Sequence, residues 1–130
     1  MRKLVLMVVT ACFGMTIAHA DPIHGIWQTI GDDNGNYGHI EVQDCDGSIC
    51  GILIKSFDSS GKQVESENIG KIVLWDMKPN GEGKYGGGKI WAPDRDKTYT
   101  SKLALAGDKL TVTGCVLIFC RDGGIWTRAN

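Results

Sequence analysis

The sequence predicts an all-β fold, specifically a small closed antiparallel up-and-down barrel of about eight strands. Turn signals rich in Asp, Asn and Gly recur along the chain after the first twenty residues. Several of the short segments between these turns alternate apolar and polar residues, which is typical of half-buried strands. No segment of this region shows a sustained helical period with caps. A sandwich of two sheets is the alternative architecture.

The first twenty residues have the pattern of a removable export signal. A basic start, Met1 to Lys3, is followed by an apolar run from Leu4 to Ile17. Ala18-His19-Ala20 then has the small-x-small pattern of a cleavage site. We therefore expect a signal peptide over residues 1–20 and one barrel domain over residues 21–130.

The net charge and the hydropathy of the chain exclude two classes of partner. Residues 1–20 carry two of the 14 basic residues and none of the 15 acidic ones, so residues 21–130 have a formal charge of −3. This balance excludes a basic nucleic-acid-binding surface. No later apolar run approaches the roughly 20 residues that span a bilayer. We expect a periplasmic or secreted protein that does not span a membrane. Val9-Thr10-Ala11-Cys12 resembles a lipoprotein cleavage motif, so anchoring through Cys12 stays open.

Four cysteines remain after the predicted cleavage, in two pairs of equal spacing: Cys45 with Cys50, and Cys115 with Cys120. An even number of cysteines in a small exported chain indicates disulfides, and four cysteines allow three pairings. A hairpin turn at Asp46-Gly47 would bring Cys45 and Cys50 together, so geometry favours local pairs. Loop entropy favours a long-range pairing. Structural zinc ligands usually come in closer pairs, so we expect no metal.

The predicted strands fall into two classes. Those with clean alternation are His39 to Gln43, Lys97 to Leu105 and Lys109 to Thr113. Those that are apolar on both faces, and that we expect to be covered on both sides or tightly curved, are Ile49 to Ile54, Ile72 to Trp75 and Val116 to Phe119. The polar segment from Phe57 to Gly70 is expected to be a surface loop or to carry a short helical turn.

Little in the sequence supports catalysis, and we expect no enzyme and no cofactor. His24 and His39 have neither a nucleophile elbow nor metal-ligand spacing around them, so they are interpreted as solvated surface residues. Asp32-Asp33-Asn34-Gly35-Asn36 lacks the Gly and Glu that a calcium loop needs, which favours a simple turn. Gly86-Gly87-Gly88 lacks the pattern of a phosphate loop, which favours a bend or bulge.

Aromatic and cationic residues mark the two ends of the predicted barrel. Trp27 lies at the start of the first strand, and Arg128 closes the last one. If these two strands pair, Arg128 can lie across the face of Trp27 in a cation–π contact. We expect this pair to close one end of the barrel, which is a structural role. Trp75 and Trp91 are candidates for the mouth.

Gly-x-Trp on the first strand with Arg on the last resembles the structural signature of lipocalins. From Gly25 onward the chain also resembles the exported bacterial proteins of the domain-of-unknown-function family 2147. The matching pieces are Gly25 to Thr29, Cys45 to Gly51, Gly88-Lys89-Ile90, Pro93 to Tyr99, Leu110 to Cys115 and Trp126-Thr127-Arg128. The resemblance implies a lipocalin-like exported barrel with no established enzyme activity. At Gly124 the family usually carries a polar residue.

We therefore expect a binding barrel for a small, mainly apolar molecule, because eight strands enclose room for one small ligand. Candidate lining residues from the apolar strand faces are Ile40, Val42, Ile52, Ile54, Tyr99, Ser101 and Leu103. Tyr99 and Ser101 would supply polar anchors. The alternative is a barrel filled by its own core that binds a protein partner, as an envelope inhibitor or adaptor, through the loop from Phe57 to Gly70.

Overall fold

The computed structural model describes residues 21–130, and the predicted signal peptide, with Cys12, lies outside them. Within these residues the chain forms nine β-strands joined by turns and loops. The strands are β1 (Gly25–Gln28), β2 (Tyr37–Cys45), β3 (Ser48–Phe57), β4 (Gln63–Val64), β5 (Ile72–Gly81), β6 (Lys84–Ala92), β7 (Lys97–Ala106), β8 (Lys109–Val116) and β9 (Phe119–Arg128).

Eight of the nine strands close into one antiparallel barrel. Each barrel strand pairs with the next one along the chain, with β3 pairing to β5, and β1 pairs with β9 to complete the cylinder. The short strand β4 stands outside this ring and pairs only with Ser56 and Phe57 at the end of β3. The closed up-and-down barrel predicted from the sequence is confirmed.

The end of the barrel where β1 begins is covered by the segment that precedes this strand. Ile23 is fully buried there, and its carbonyl accepts a hydrogen bond from Trp27 Nε1 at 2.8 Å. The guanidinium carbon of Arg128 lies 4.1 Å from the ring centroid of Trp27. The terminal nitrogens of Arg128 donate to the carbonyls of His24 and Pro22, each at 2.9 Å. We call this the closed end.

The half of the barrel next to the closed end is filled with side chains. Its core residues include Trp27, Val42, Ile49, Leu74, Met77, Leu103 and Leu110. The hydroxyl of Tyr85 donates to Asp21 Oδ1, which ties the covering segment to β6. Burial, together with this carboxylate, raises the pKa of Tyr85, so the hydroxyl keeps its proton and remains a donor. The closed half is therefore a packed core.

Two-residue turns make the hairpins at both ends. Asp46 and Gly47 both have positive φ (50° and 89°), which matches the turn that two-residue hairpins favour. This turn brings Cys45 and Cys50 together as a disulfide at the closed end. The second disulfide joins Cys115 to Cys120, which lie directly opposite each other between β8 and β9. The cysteines therefore form the two local pairs that turn geometry favours.

The opposite end carries the longer connections, and we call it the open end. They cover residues 29–36, 58–71 and 93–96, together with the β8–β9 turn. In the first, Asp32 Oδ1 accepts the backbone N–H groups of Asn34 and Asn36 at 2.8 and 3.0 Å, so this acidic segment is a turn. In the second, β4 and hydrogen-bonded turns occupy the segment where a loop or a helical turn was expected.

Candidate functional site

The open half of the barrel encloses a cavity of about 630 Å³. This volume falls in the range of small-molecule sites, which is roughly 300–1,000 Å³. Its wall draws on every barrel strand from β2 to β9 and on the loop that begins at Thr29. The cavity therefore lies inside the barrel, and the loops of the open end complete its wall.

The inner part of the wall is apolar. The side chains that form it, all buried or half-buried, are Ile40, Leu53, Val73, Ile90, Val112 and Trp126. Each of them except Ile90 is less than a tenth exposed. A surface of this kind favours an apolar molecule, because burying such a molecule removes its surface from water.

Two inward-facing positions of this half are glycines. On β8 the inward positions run from Leu110 through Val112 to Gly114, and on β2 they run from Ile40 to Gly38. A Cβ at Gly38 would lie 2.7 Å from Leu53 Cδ1, so this glycine lets the Leu53 side chain lie against β2. A Cβ at Gly114 would lie 3.2 Å from the Tyr99 Cβ, so the glycine also lets Tyr99 lie close against β8.

The mouth of the cavity is lined by polar and charged groups from three loops and from β9. The lining includes five acidic residues and two arginines, namely Asp32, Asp33, Glu65, Asp94, Asp122, Arg95 and Arg121. Arg95 Nε lies 3.6 Å from Asp94 Oδ2. A hydrogen bond to Tyr99, with the nearby Asp94 carboxylate, raises the pKa of Arg95 further above its ordinary value. The mouth is therefore polar with an excess of negative charge.

Two aromatic groups stand at the rim. The rings of Tyr37 and Phe57 stack with centroids 5.0 Å apart and planes 11° apart. Trp91 donates its Nε1–H to Asp96 Oδ1 at 2.9 Å, and the Lys71 ammonium lies 5.5 Å from its ring centroid. These contacts hold large flat side chains around the entrance to the cavity. Trp91 is thus at the mouth, whereas Trp75 does not line the cavity.

The seven predicted lining residues fall into three groups. Ile40 and Tyr99 line the cavity. Val42, Ser101 and Leu103 face the interior but lie in the packed core, outside the cavity wall. Ser101 is fully buried, and its hydroxyl donates to the carbonyl of Thr113 at 3.2 Å, so it serves the barrel wall instead of acting as a ligand anchor.

The third group, Ile52 and Ile54, does not line the cavity, and the expectation that it would is corrected. Leu53, which lies between them, is buried and forms part of the cavity wall. Ile54 is the extra residue of a bulge, because His39 pairs with Lys55 and the next residue, Ile40, pairs with Leu53. The strand is apolar on both faces, so alternation in the sequence does not fix its phase.

Sequence reasoning also missed most of the wall. Of the missed residues, Val112 belongs to a clean alternating segment, so its inward direction was readable from the sequence. Val73, Ile90 and Trp126 lie in strands without clean alternation, and only the register of the barrel brings them together. The missing signal was the position of each residue along the barrel axis.

The two histidines lie outside the cavity wall. His24 Nε2 lies 3.1 Å from Asp44 Oδ1 near the closed end. His39 packs on the Phe57 ring and lies 3.2 Å from Gln28 Oε1. Burial, and to a lesser extent the charge of Lys55, lowers the pKa of His39. Within residues 21–130 no three His, Cys, Asp or Glu side chains cluster closely enough to hold a metal ion.

A family model matches residues 25–128, with the description of uncharacterized proteins conserved in bacteria, DUF2147. The chain belongs to DUF2147. The matched range begins at the first residue of β1 and ends at the last residue of β9, so the family pattern covers the barrel itself. A search of curated proteins finds no significant match.

The DUF2147 barrel is similar to a solved structure of a Helicobacter pylori protein, HP1028, described as belonging to the lipocalin family. The two chains are 20% identical, the match covers 82% of each, and the TM-score is 0.65. This likeness shows the fold, a lipocalin-like β-barrel.

Ile30, in the loop after β1, packs against Gly124 of β9. Gly124 has a φ of +87°, and a Cβ there would lie 2.7 Å from Ile30 Cγ2. Ile30 also lines the cavity, so it adds an apolar side chain to the mouth at this side.

The two cysteine pairs indicate the kind of cellular compartment in which the protein is found. Both local pairs are joined as disulfides, and such bonds persist in oxidising compartments outside the cytoplasm. Among the described residues there is no helix with the length and apolar character needed to cross a bilayer.

Proposed function

We propose that this protein is an exported, non-enzymatic binding protein that holds one small, mainly apolar molecule in the cavity at the open end. The observation that carries this proposal is the cavity of about 630 Å³ with an apolar wall inside a closed barrel. The same observation speaks against the alternative of a barrel filled by its own core, because only the closed half is filled.

The charges at the mouth narrow the ligand class. The apolar part of the ligand occupies the inner wall, and its polar group lies at the mouth. Because the lining carboxylates outnumber the guanidinium groups by five to two, a hydroxyl or ammonium group is favoured over a carboxylate there. We propose a single-chain or compact amphiphile with a neutral or cationic polar group.

The periplasm is the proposed location. The export-signal pattern of residues 1–20 and the two disulfides support it together. Native mass spectrometry of the protein purified from its own periplasm tests both parts of the proposal. We expect the processed chain from Asp21 with a small-molecule adduct. A mature chain that begins with acylated Cys12 would overturn the predicted cleavage site.

Binding is tested by filling the cavity. Val112→Phe adds bulk to the apolar wall, so we expect the affinity for the uncharged fluorescent probe N-phenylnaphthylamine to fall about tenfold or more. The matched control is Thr111→Phe, which adds a ring at the neighbouring, exposed position of the same strand. This control should bind the probe as the wild type does.

Two results would contradict the proposed function. One is a folded Val112→Phe variant that binds the probe with unchanged affinity. The other is a wild type that neither carries an adduct nor binds the probe. If Val112→Phe does not fold, Leu53→Phe replaces it, with Ile52→Phe as its control on the same strand, because Leu53 lines the cavity and Ile52 does not.

A further inference from the structure

The hairpin between β8 and β9 ends in four consecutive apolar residues, Val116–Phe119, which we call the apolar tip. Leu117 and Ile118 form the turn and are 91% and 88% exposed, while Phe119 is 74% and Val116 53% exposed. Scattered apolar side chains are normal at protein surfaces. A continuous group of this exposure marks an interaction site.

The backbone of the apolar tip gives a second, independent sign. Leu117 has a φ of +56°, in the left-handed region that Gly and Asn adopt readily and that larger side chains disfavour. The β2–β3 hairpin of the same barrel meets this demand with Asp46 and Gly47. Turn formation alone would favour a residue of that kind at position 117, so the leucine serves another purpose.

The apolar tip is held in shape before it meets a partner. Cys115 and Cys120 are bonded directly across its base, and Val116 pairs with Phe119 above them. Little conformational entropy is therefore lost when the tip is buried. The pairing also gives backbone N–H and C=O groups hydrogen-bond partners within the hairpin. This is required in an apolar medium, because such a medium offers no partners of its own.

The direction of the side chains favours a lipid surface over a protein groove. Neighbouring residues of a hairpin point to opposite faces, so apolar groups surround the tip instead of forming one flat face. Side chains that point in all directions are buried best by a medium that is apolar on all sides. The tip would meet such a medium by inserting shallowly into the boundary between lipid headgroups and acyl chains.

The position of the apolar tip agrees with this partner. Gly114, Arg121 and Asp122, on the same two strands, line the cavity, so the tip projects beside the mouth. We propose that the apolar tip inserts into the surface of a lipid bilayer and holds the open end of the barrel against it. A molecule dissolved in the bilayer could then reach the cavity without crossing water, and this last step alone rests on the proposed function.

The net charge of the protein favours one kind of lipid surface over another. Residues 21–130 have a formal charge of −3, and carboxylates predominate at the mouth. A strongly anionic surface would repel this end, whereas a zwitterionic one would not. Because the apolar tip carries no charge, we expect binding to zwitterionic vesicles to change little when the salt concentration is raised.

The experiment is flotation of the exported, processed protein with phosphatidylcholine vesicles. We expect the wild type to float with the vesicles, and Leu117→Asn combined with Ile118→Asn to lower the partition coefficient about a hundredfold, at roughly tenfold for each apolar side chain. Asn fits the left-handed turn, so the variant should fold. Ile125→Asn, a half-exposed isoleucine far along β9, is the matched control and should float as the wild type does.

Two results would overturn the docking proposal: a wild type that does not float, or a folded double variant that floats equally well. If the wild type self-associates through Leu117 and Ile118 without binding vesicles, a second copy is the occupant and the proposal is wrong. N-phenylnaphthylamine binding is measured separately on the same variants. Loss of probe binding in Val112→Phe with flotation intact separates the cavity from the tip.

Discussion

The two ends of the barrel are built from the same strands but finished with different side chains. At the closed end, Trp27, Ile23 and Arg128 fill and cover the interior. At the open end, the wall includes Gly38 and Gly114, and it surrounds a cavity of about 630 Å³. The comparison teaches that in an eight-stranded barrel a few inward residues decide between core and binding site, while the backbone is the same throughout.

The largest effect should come from removing the cover of the closed end. Arg128→Met removes the cation–π contact with Trp27 and leaves the carbonyls of His24 and Pro22 without their donors. We expect a loss of about 3 kcal/mol in the free energy of unfolding, measured by urea denaturation. Arg128→Lys keeps the charge but lacks the planar fork, so it should recover only part of this loss. An unchanged stability in Arg128→Met would mean that the cover is dispensable.

The two disulfides offer a matched comparison between the ends. Both close loops of the same length, so the chain-entropy model gives about 2 kcal/mol for each. Each pair has one buried cysteine, Cys50 at 1% and Cys115 at 5% exposure, so replacement by serine buries one hydroxyl in each pair. We therefore expect Cys45→Ser with Cys50→Ser to lower the free energy of unfolding, measured in urea, by about as much as Cys115→Ser with Cys120→Ser. A difference of more than about 1 kcal/mol between the two variants would contradict this expectation.

The smallest effect should come from adding one methyl group to each half. A Cβ at Gly51 would lie 2.7 Å from Ile40 Cγ2 and 3.2 Å from Leu74 Cβ, so we expect Gly51→Ala to lose about 1–2 kcal/mol through overpacking. Gly114→Ala meets only Tyr99, at 3.2 Å beside the cavity, and should cost less than about 1 kcal/mol. Thermal melting of the two variants checks this, and the reverse order would contradict the tighter packing around Gly51.

The sequence predicted the barrel because its signals are local. Turn pairs such as Asp46-Gly47 and the alternation along β7 and β8 specify antiparallel hairpins without any knowledge of distant contacts. Gly86-Gly87-Gly88 was interpreted as a bend or bulge, and the register between β6 and β7 shifts between Tyr85 and Gly88. These features depend on neighbours in the chain, so composition and spacing reveal them.

The site was harder to predict, because it depends on depth along the barrel. Ser101 and Tyr99 share a strand face, yet two residues separate a buried wall hydroxyl from a cavity-lining ring. Alternation of apolar and polar residues predicts which face of the strand a side chain lies on, but not how far along the barrel axis it lies. The apolar run from Val116 to Phe119 shows the same limit, since it was expected to be covered or tightly curved and proves to be the most exposed apolar segment of the described residues.

The pairing of β1 with β9 has a consequence for the order of folding. Every other barrel pairing joins strands that are adjacent along the chain or separated only by β4, while this seam brings Trp27 to Arg128 across almost the whole domain. The largest entropy cost of loop closure therefore belongs to the step in which β1 pairs with β9. An interaction formed at a late step chiefly slows unfolding and leaves the folding rate nearly unchanged. We therefore expect the contact of Arg128 with the Trp27 ring to lower the unfolding rate of the closed barrel more than it changes the folding rate.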